Sequence, residues 1–196
     1  MGPSANERRW DIERYISGTE VWSLNNAHRK FETFHGWARW YEVHDIDYLH
    51  AWGATQPGGM INYFKELNAL AVPVYRSHPL PVIERQEHFP ELDMANHFGG
   101  AVFWDGTPSR MLAHAVYEHD KGNEVEFIQS YGIDMLDPQH APQVAAWSFW
   151  VGAAMSRGIE IGGTALARLM GPESDEGTRP LRVKTLKAFN AKPKGG

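Results

Sequence analysis

Met1-Gly2-Pro3-Ser4 reads as the second half of a Gly-x-Gly-Pro-Ser phosphate loop. In such a loop glycines let the backbone approach a phosphate. The helix that follows offers free N–H groups and the positive end of its dipole. An apolar strand normally leads into the loop, and none precedes Gly2 in this sequence. Two readings stay open. Gly2, Pro3 and Ser4 are a phosphate site whose leading strand is missing, either because Met1 is an internal methionine or because the sheet lacks that strand. Otherwise they are an unstructured start or the remnant of an expression tag.

Further along, polar residues recur where apolar runs end. Ser23, Asn25 and Asn26 close the run at Glu20–Asn25, and His44 and Asp45 close Arg39–Asp45. Ser77 and His78 follow Ala71–Tyr75, while Tyr131 and Asp134 follow Val125–Tyr131. The amides of Asn25 and Asn26 suit a base or ribose, and equally suit a turn, because Asn tolerates left-handed backbone. Gly132 permits a tight turn at a strand end. Asp134 could bind a ribose hydroxyl or a metal, or take an acceptor proton; an Asx-turn is the structural alternative. Thr107, in Gly106-Thr107-Pro108-Ser109, is a natural N-cap. With Ser109 it marks a helix start that could also receive a phosphate. Gln143 lies where a loop enters an apolar helix, and on that loop His140 is a candidate general base, since imidazole titrates near neutrality.

Metal chemistry has weaker footing. The chain holds 10 His and no Cys, which removes thiolate zinc sites and cysteine nucleophiles. His114 and His119 fall on different faces of a helix, and no His-Glu-x-x-His occurs, so zinc is not expected. Magnesium carried by a nucleotide phosphate would look to Asp45 or Asp134.

The elements that must position these residues alternate. Strands are expected at Glu20–Asn25, Arg39–Asp45, Ala71–Tyr75, Val125–Tyr131 and Ile159–Ile161. The third should be short or near an edge, because Pro73 cannot donate to a ladder. Asp45 or Asp47 should cap a short helix carrying Leu49 and Trp52. Gln56-Pro57-Gly58-Gly59 breaks the chain, and Met60, Ile61, Phe64, Leu67 and Leu70 then recur at helical spacing. A helix over Thr107–His119 turns Met111, Leu112, Ala115 and Val116 inward. Gln143–Arg157 is an apolar helix stopped by Gly158, with Trp147, Phe149, Trp150 and Val151 packed on more than one side. Pro79–Gly100 is the least regular stretch. This alternation predicts an α/β, mostly parallel sheet with helices on both faces. In such sheets ligands sit outside the carboxyl ends of the strands, which gathers the polar residues into one place.

Composition sets the frame. A chain of 196 residues, 42% hydrophobic and 22% charged, is enough for one domain with a buried core. We expect that domain over 1–170, followed by a polar, basic tail over 171–196. A net charge of −5 argues against a nucleic-acid-coating partner. No apolar run approaches the ~20 residues that span a bilayer, and no signal peptide appears; both fit a cytoplasmic setting. An exposed Trp150 would point to a homo-oligomer.

The order Gly2-Pro3-Ser4, then Ser23-Leu24-Asn25-Asn26, then Tyr131-Gly132-Ile133-Asp134-Met135 resembles a Rossmann-like group found in phage genomes under the label "norphogenetic protein". Its layout also resembles motility-associated-factor glycosyltransferases, Rossmann-like bacterial sialyltransferases and hydroxymethylpterin pyrophosphokinases. The resemblance covers residues 1–165 and implies a Rossmann-like fold whose first strand is missing here. It implies that Asn25 holds a nucleotide, that Thr107 and Ser109 partly match a Thr-Ser-Ser step, and that Gln143 keeps part of a Gln-Arg-Pro pattern. The Arg of that pattern is absent, since Val144 follows, which removes a phosphate partner. Two functions follow as expectations. One is transfer of a sugar from a nucleotide-sugar donor, with Asp134 or His140 assisting the acceptor hydroxyl. The other is a phage accessory protein that keeps the scaffold without chemistry.

Overall fold

The computed structural model describes residues 19–30, 36–56, 58–100, 103–130 and 142–163. They form an α/β, Rossmann-like arrangement in which every strand pairing is parallel. In chain order come β1 (Val21–Leu24), a 3-10 turn (Ala27–Lys30), β2 (Trp37–Tyr41), α1 (Ile46–Gly53) and α2 (Gly59–Ala69). Next are β3 (Val74–Arg76), β4 (Gln86–His88), α3 (Glu91–His97) and α4 (Gly106–Asp120). Last come β5 (Phe127–Ser130), α5 (Gln143–Ser156) and β6 (Glu160–Gly163). The ladders form two sheets, one in the order β1-β2-β3-β4 and one of β5 with β6.

Register explains the two-sided core. Successive strand side chains point to opposite faces. Leu24 sits beside Tyr41 and Tyr41 beside Tyr75, while Ser23 sits beside Trp40 and Trp40 beside Val74. The Tyr41 face packs on Leu112 and Val116 of α4 and Trp147, Trp150 and Val151 of α5. The Trp40 face packs on Leu49 of α1 and on Tyr63, Phe64 and Leu67 of α2. Helices therefore cover both faces, as the alternation predicts. Trp22 and Leu24 of β1 and Ile128 and Ile161 of β5 and β6 all border the same cluster, so the two sheets share one core.

Local chemistry sets the boundaries. The Asp45 carboxylate accepts from Tyr48 N at 2.7 Å and caps α1, as expected. β3 is short, as Pro73 predicts, yet it lies inside the sheet between β2 and β4. Proline is tolerated there because it precedes the first paired residue and still accepts from Trp40 N at 2.9 Å through its carbonyl. Pro79–Gly100 is more regular than expected, since it holds β4 and α3. Ile61 is 68% exposed and Phe149 50% exposed, so α2 is amphipathic around a different stripe and α5 leaves one face open. Trp150 is 1% exposed and donates to the Phe103 carbonyl at 2.6 Å. On α4, Leu112, Ala115 and Val116 are buried and Met111 is partly so.

One buried group is unusual. His114 of α4 lies among Trp22, Tyr41, Tyr75 and Phe89, with Nδ1 2.9 Å from the Tyr41 hydroxyl. It is 4% exposed. Burial, aided by the nearby positive charge of Arg39, pulls its pKa down to about 4, so the imidazole is neutral in the folded chain.

Candidate functional site

β1 and β2 end side by side, and their chain continuations build a cleft under α1 and α2. Its walls are Asn25, Asn26, Glu42, His44, Tyr48, Leu49, Trp52 and Tyr63, and its volume is about 70 Å3. That space suits several waters or one small ring edge.

Glu42 is the centre of the site. It follows Trp40 by two residues, so it keeps to the same face, and its N–H extends the ladder to the Tyr75 carbonyl at 3.0 Å. The side chain is 1% exposed. A buried carboxylate needs partners, and Glu42 has three. Oε1 lies 2.6 Å from His44 Nδ1 and accepts the His44 backbone N–H at 3.3 Å. Oε2 accepts the Tyr63 hydroxyl. Burial, then the adjacent Glu42 charge, raises the Tyr63 phenol well above its ordinary range, so Tyr63 stays a donor.

Arg76 completes the base of the site. This guanidinium at the end of β3 is 2% exposed. Its Nε donates to the His78 carbonyl at 3.0 Å and its Nη2 to the His44 carbonyl at 2.9 Å. Burial lowers its pKa, while Glu42 works in the opposite sense. It thereby fixes the backbone that carries the His44 ring. That ring stacks on Tyr48 at 4.2 Å and 15°. Its Nδ1 is taken by Glu42, and Nε2 has no hydrogen-bond partner among the described residues. Arg29, outside the cleft lining, lies over Trp52 and Tyr63, with centroid distances of 5.6 and 5.8 Å. Arg29 and His28 both reach Glu66 at 2.8 Å. Burial opposes ionisation of Glu66, but those two hydrogen bonds outweigh it and lower its pKa.

The sequence-predicted residues divide by position. Asn25, Asn26 and His44 come together in the cleft. Asn25 also serves its turn: φ is 50°, its N–H donates to Tyr41 O at 2.9 Å and its carbonyl accepts from Trp40 Nε1 at 3.0 Å. Its side-chain oxygen accepts the Thr107 hydroxyl at 3.3 Å, which ties the cleft to the start of α4. Thr107 lies inside the first turn of α4, and Asp105 holds the cap position. Ser109 is buried and donates back to Asp105 O at 2.6 Å and Gly106 O at 3.0 Å. Gln143 opens α5 beside Gly106, where a Cβ would lie 2.5 Å from Gln143 Oε1. Ser23 sits within β1, buried, rather than after it. Ser77 belongs to a separate cluster: it donates to Glu91 at 2.9 Å and accepts from Arg110 at 3.2 Å, and Arg110 also pairs with Glu91. Gly2, Pro3, Ser4, Tyr131, Gly132, Asp134 and His140 lie outside the described residues.

Sequence reasoning missed Glu42, Tyr48, Trp52 and Tyr63 as site residues. The signal for Glu42 was its spacing of two from His44 on an extended segment. Of the magnesium candidates, Asp45 is exposed and caps α1 through one carboxylate oxygen, and Asp134 lies outside the described residues. Among the described residues no group of three or more His, Asp or Glu could hold a metal ion, and no helix is long and apolar enough to cross a membrane. Comparison with protein-family models, with curated proteins and with solved structures returns no match.

Proposed function

We propose that this protein binds a nucleotide or nucleotide-sugar at the C-terminal edge of the β1–β4 sheet and acts as a sugar transferase on it. The observation that carries this reading is the convergence of the Asn25 and Asn26 amides, the Tyr48 and Trp52 rings and the Glu42–His44 pair on one cleft. Amides match the donor and acceptor edges of a base or ribose. Aromatic faces stack on bases and sugars. A carboxylate-held imidazole supplies proton transfer. The location agrees with the general placement of ligands in open parallel sheets.

The second reading, a non-catalytic scaffold, is favoured by one observation. The cleft measures about 70 Å3, against the ~300–1,000 Å3 of typical ligand pockets. Calorimetric titration separates the two. Cytidine, uridine, adenosine and guanosine monophosphates and their diphospho-sugars are titrated into the full chain, with and without magnesium. A saturable heat for one base series, weakened at least tenfold in Asn25→Ala and Trp52→Ala, is expected. No heat with any of them, in protein shown folded by circular dichroism, rejects nucleotide binding and leaves the scaffold.

A further inference from the structure

Within the proposed transferase site, we infer that His44 is the general base and takes the proton of an acceptor hydroxyl on a carbohydrate or ribose ring, with Glu42 as its positioning residue. The inference rests on the nucleotide-sugar reading and adds the acceptor class and the residue that activates it.

Among the described residues, the geometry is that of a relay with one free end. Glu42 Oε1 holds His44 Nδ1 at 2.6 Å, so a neutral ring carries its proton on Nδ1 and presents Nε2 as acceptor. The carboxylate cannot swing away. Tyr63 holds its other oxygen, and the His44 backbone N–H holds the first at 3.3 Å. The ring cannot tilt freely either, since Tyr48 covers one face at 4.2 Å and Arg76 anchors the His44 carbonyl at 2.9 Å. Such restraint is what proton transfer demands of a base. The titratable groups that share the cleft with the imidazole are Glu42 beyond β2, Tyr48 on α1 and Tyr63 on α2; Arg76 of β3 holds the His44 carbonyl and Asp45 caps α1 next to it in sequence.

The acceptor class follows from the walls. His44 leaves room for a hydroxyl beside it in a cleft of about 70 Å3, which admits the edge of one ring. In the step, His44 Nε2 takes the acceptor proton as the acceptor oxygen bonds to the anomeric carbon of the nucleotide-sugar. The bond from that carbon to the diphosphate oxygen breaks, and the nucleoside diphosphate leaves with the electron pair. The imidazolium formed lies against the Glu42 side chain.

The test joins a reading of the resting enzyme to one of turnover. Nitrogen-detected NMR of 15N-histidine protein, with His44→Gln used to assign the signal, should show His44 protonated on Nδ1. Glu42→Gln should turn that signal into a tautomer mixture, and Glu42→Asp should partly restore it. Nucleoside diphosphate release is then followed against pH with the diphospho-sugars, using methyl glucoside, methyl galactoside and methyl riboside as acceptors. His44→Gln should lower turnover at least a hundredfold and abolish the acid limb of the pH profile, with the donor Kd within twofold of wild type. Glu42→Gln should lower turnover at least tenfold at unchanged donor KM. A His44→Gln variant with an intact acid limb, or a tautomer indifferent to Glu42→Gln, overturns the inference. Donor binding without release to any acceptor also overturns it while sparing the nucleotide reading; absence of donor binding overturns both.

Discussion

Acidification should destabilise this protein through His114 before its carboxylates titrate. The folded imidazole has a pKa of about 4 against an ordinary 6.5, because it sits in an aromatic cage near Arg39. Below pH 6.5 the unfolded chain binds a proton that the folded chain refuses, so stability falls as pH drops and the loss levels off near pH 4. At about 1.4 kcal/mol per pH unit the full effect is about 3 kcal/mol, with about 2 kcal/mol already lost at pH 5. That is a large part of a typical ~5–15 kcal/mol stability. Urea unfolding followed by tryptophan fluorescence from pH 7.5 to 4.5 reads it, with His114→Gln as the control. Glu66 and Asp120, whose pKa values are lowered, contribute stability above the carboxylate range that is lost only at lower pH. They are common to both proteins and cancel in the difference. Wild type should lose about 2–3 kcal/mol more than His114→Gln across this range. Parallel pH dependences in the two proteins would refute the assignment of a neutral buried His114.

Other perturbations follow from the same packing. Trp150→Ala removes a ring that is 1% exposed and should cost ~3–5 kcal/mol in chemical denaturation. Gly106 has φ +77°, so Gly106→Ala should cost ~1–2 kcal/mol through left-handed strain; adding Gln143→Ala should relieve only the steric part. Burial holds the phenols of Tyr41 and Tyr63 well above their usual range; ultraviolet difference spectra should show them ionising only when alkali unfolds the chain. Tyr63→Phe takes a donor from buried Glu42 and should cost ~1–3 kcal/mol, read as a lower urea midpoint.

The alternation of elements was legible because apolar runs and turn residues carry it, and Asn25 and His44 were legible as polar groups at strand ends. Ser23 shared that signal and lost it to register: one residue separates the strand interior from its end. Ser109 looked like a ligand group, but a helical serine can satisfy itself on the preceding turn, as it does here. β4 was invisible since Gln86-Glu87-His88, a polar edge strand, has no apolar pattern. Glu42 follows the end of β2 between Tyr41 and Val43. Its importance comes from Tyr63, which reaches it from α2, and from His44, whose carbonyl Arg76 holds from β3; no local pattern links Tyr63 or Arg76 to it.

The two parallel ladders are joined by side chains and not by a backbone hydrogen-bond array among the described residues. A hydrogen-bonded ladder locks neighbouring strands in fixed register, whereas packed helices can slide by small shear steps. Among the described residues, the contact between the two ladders runs through the side chains packed under α4 and α5. Gly106, Thr107 and Gln143 lie at the starts of these helices, and the Thr107 hydroxyl reaches across to Asn25. A shift at the start of α4 would be felt first at the end of β1, where the cleft begins.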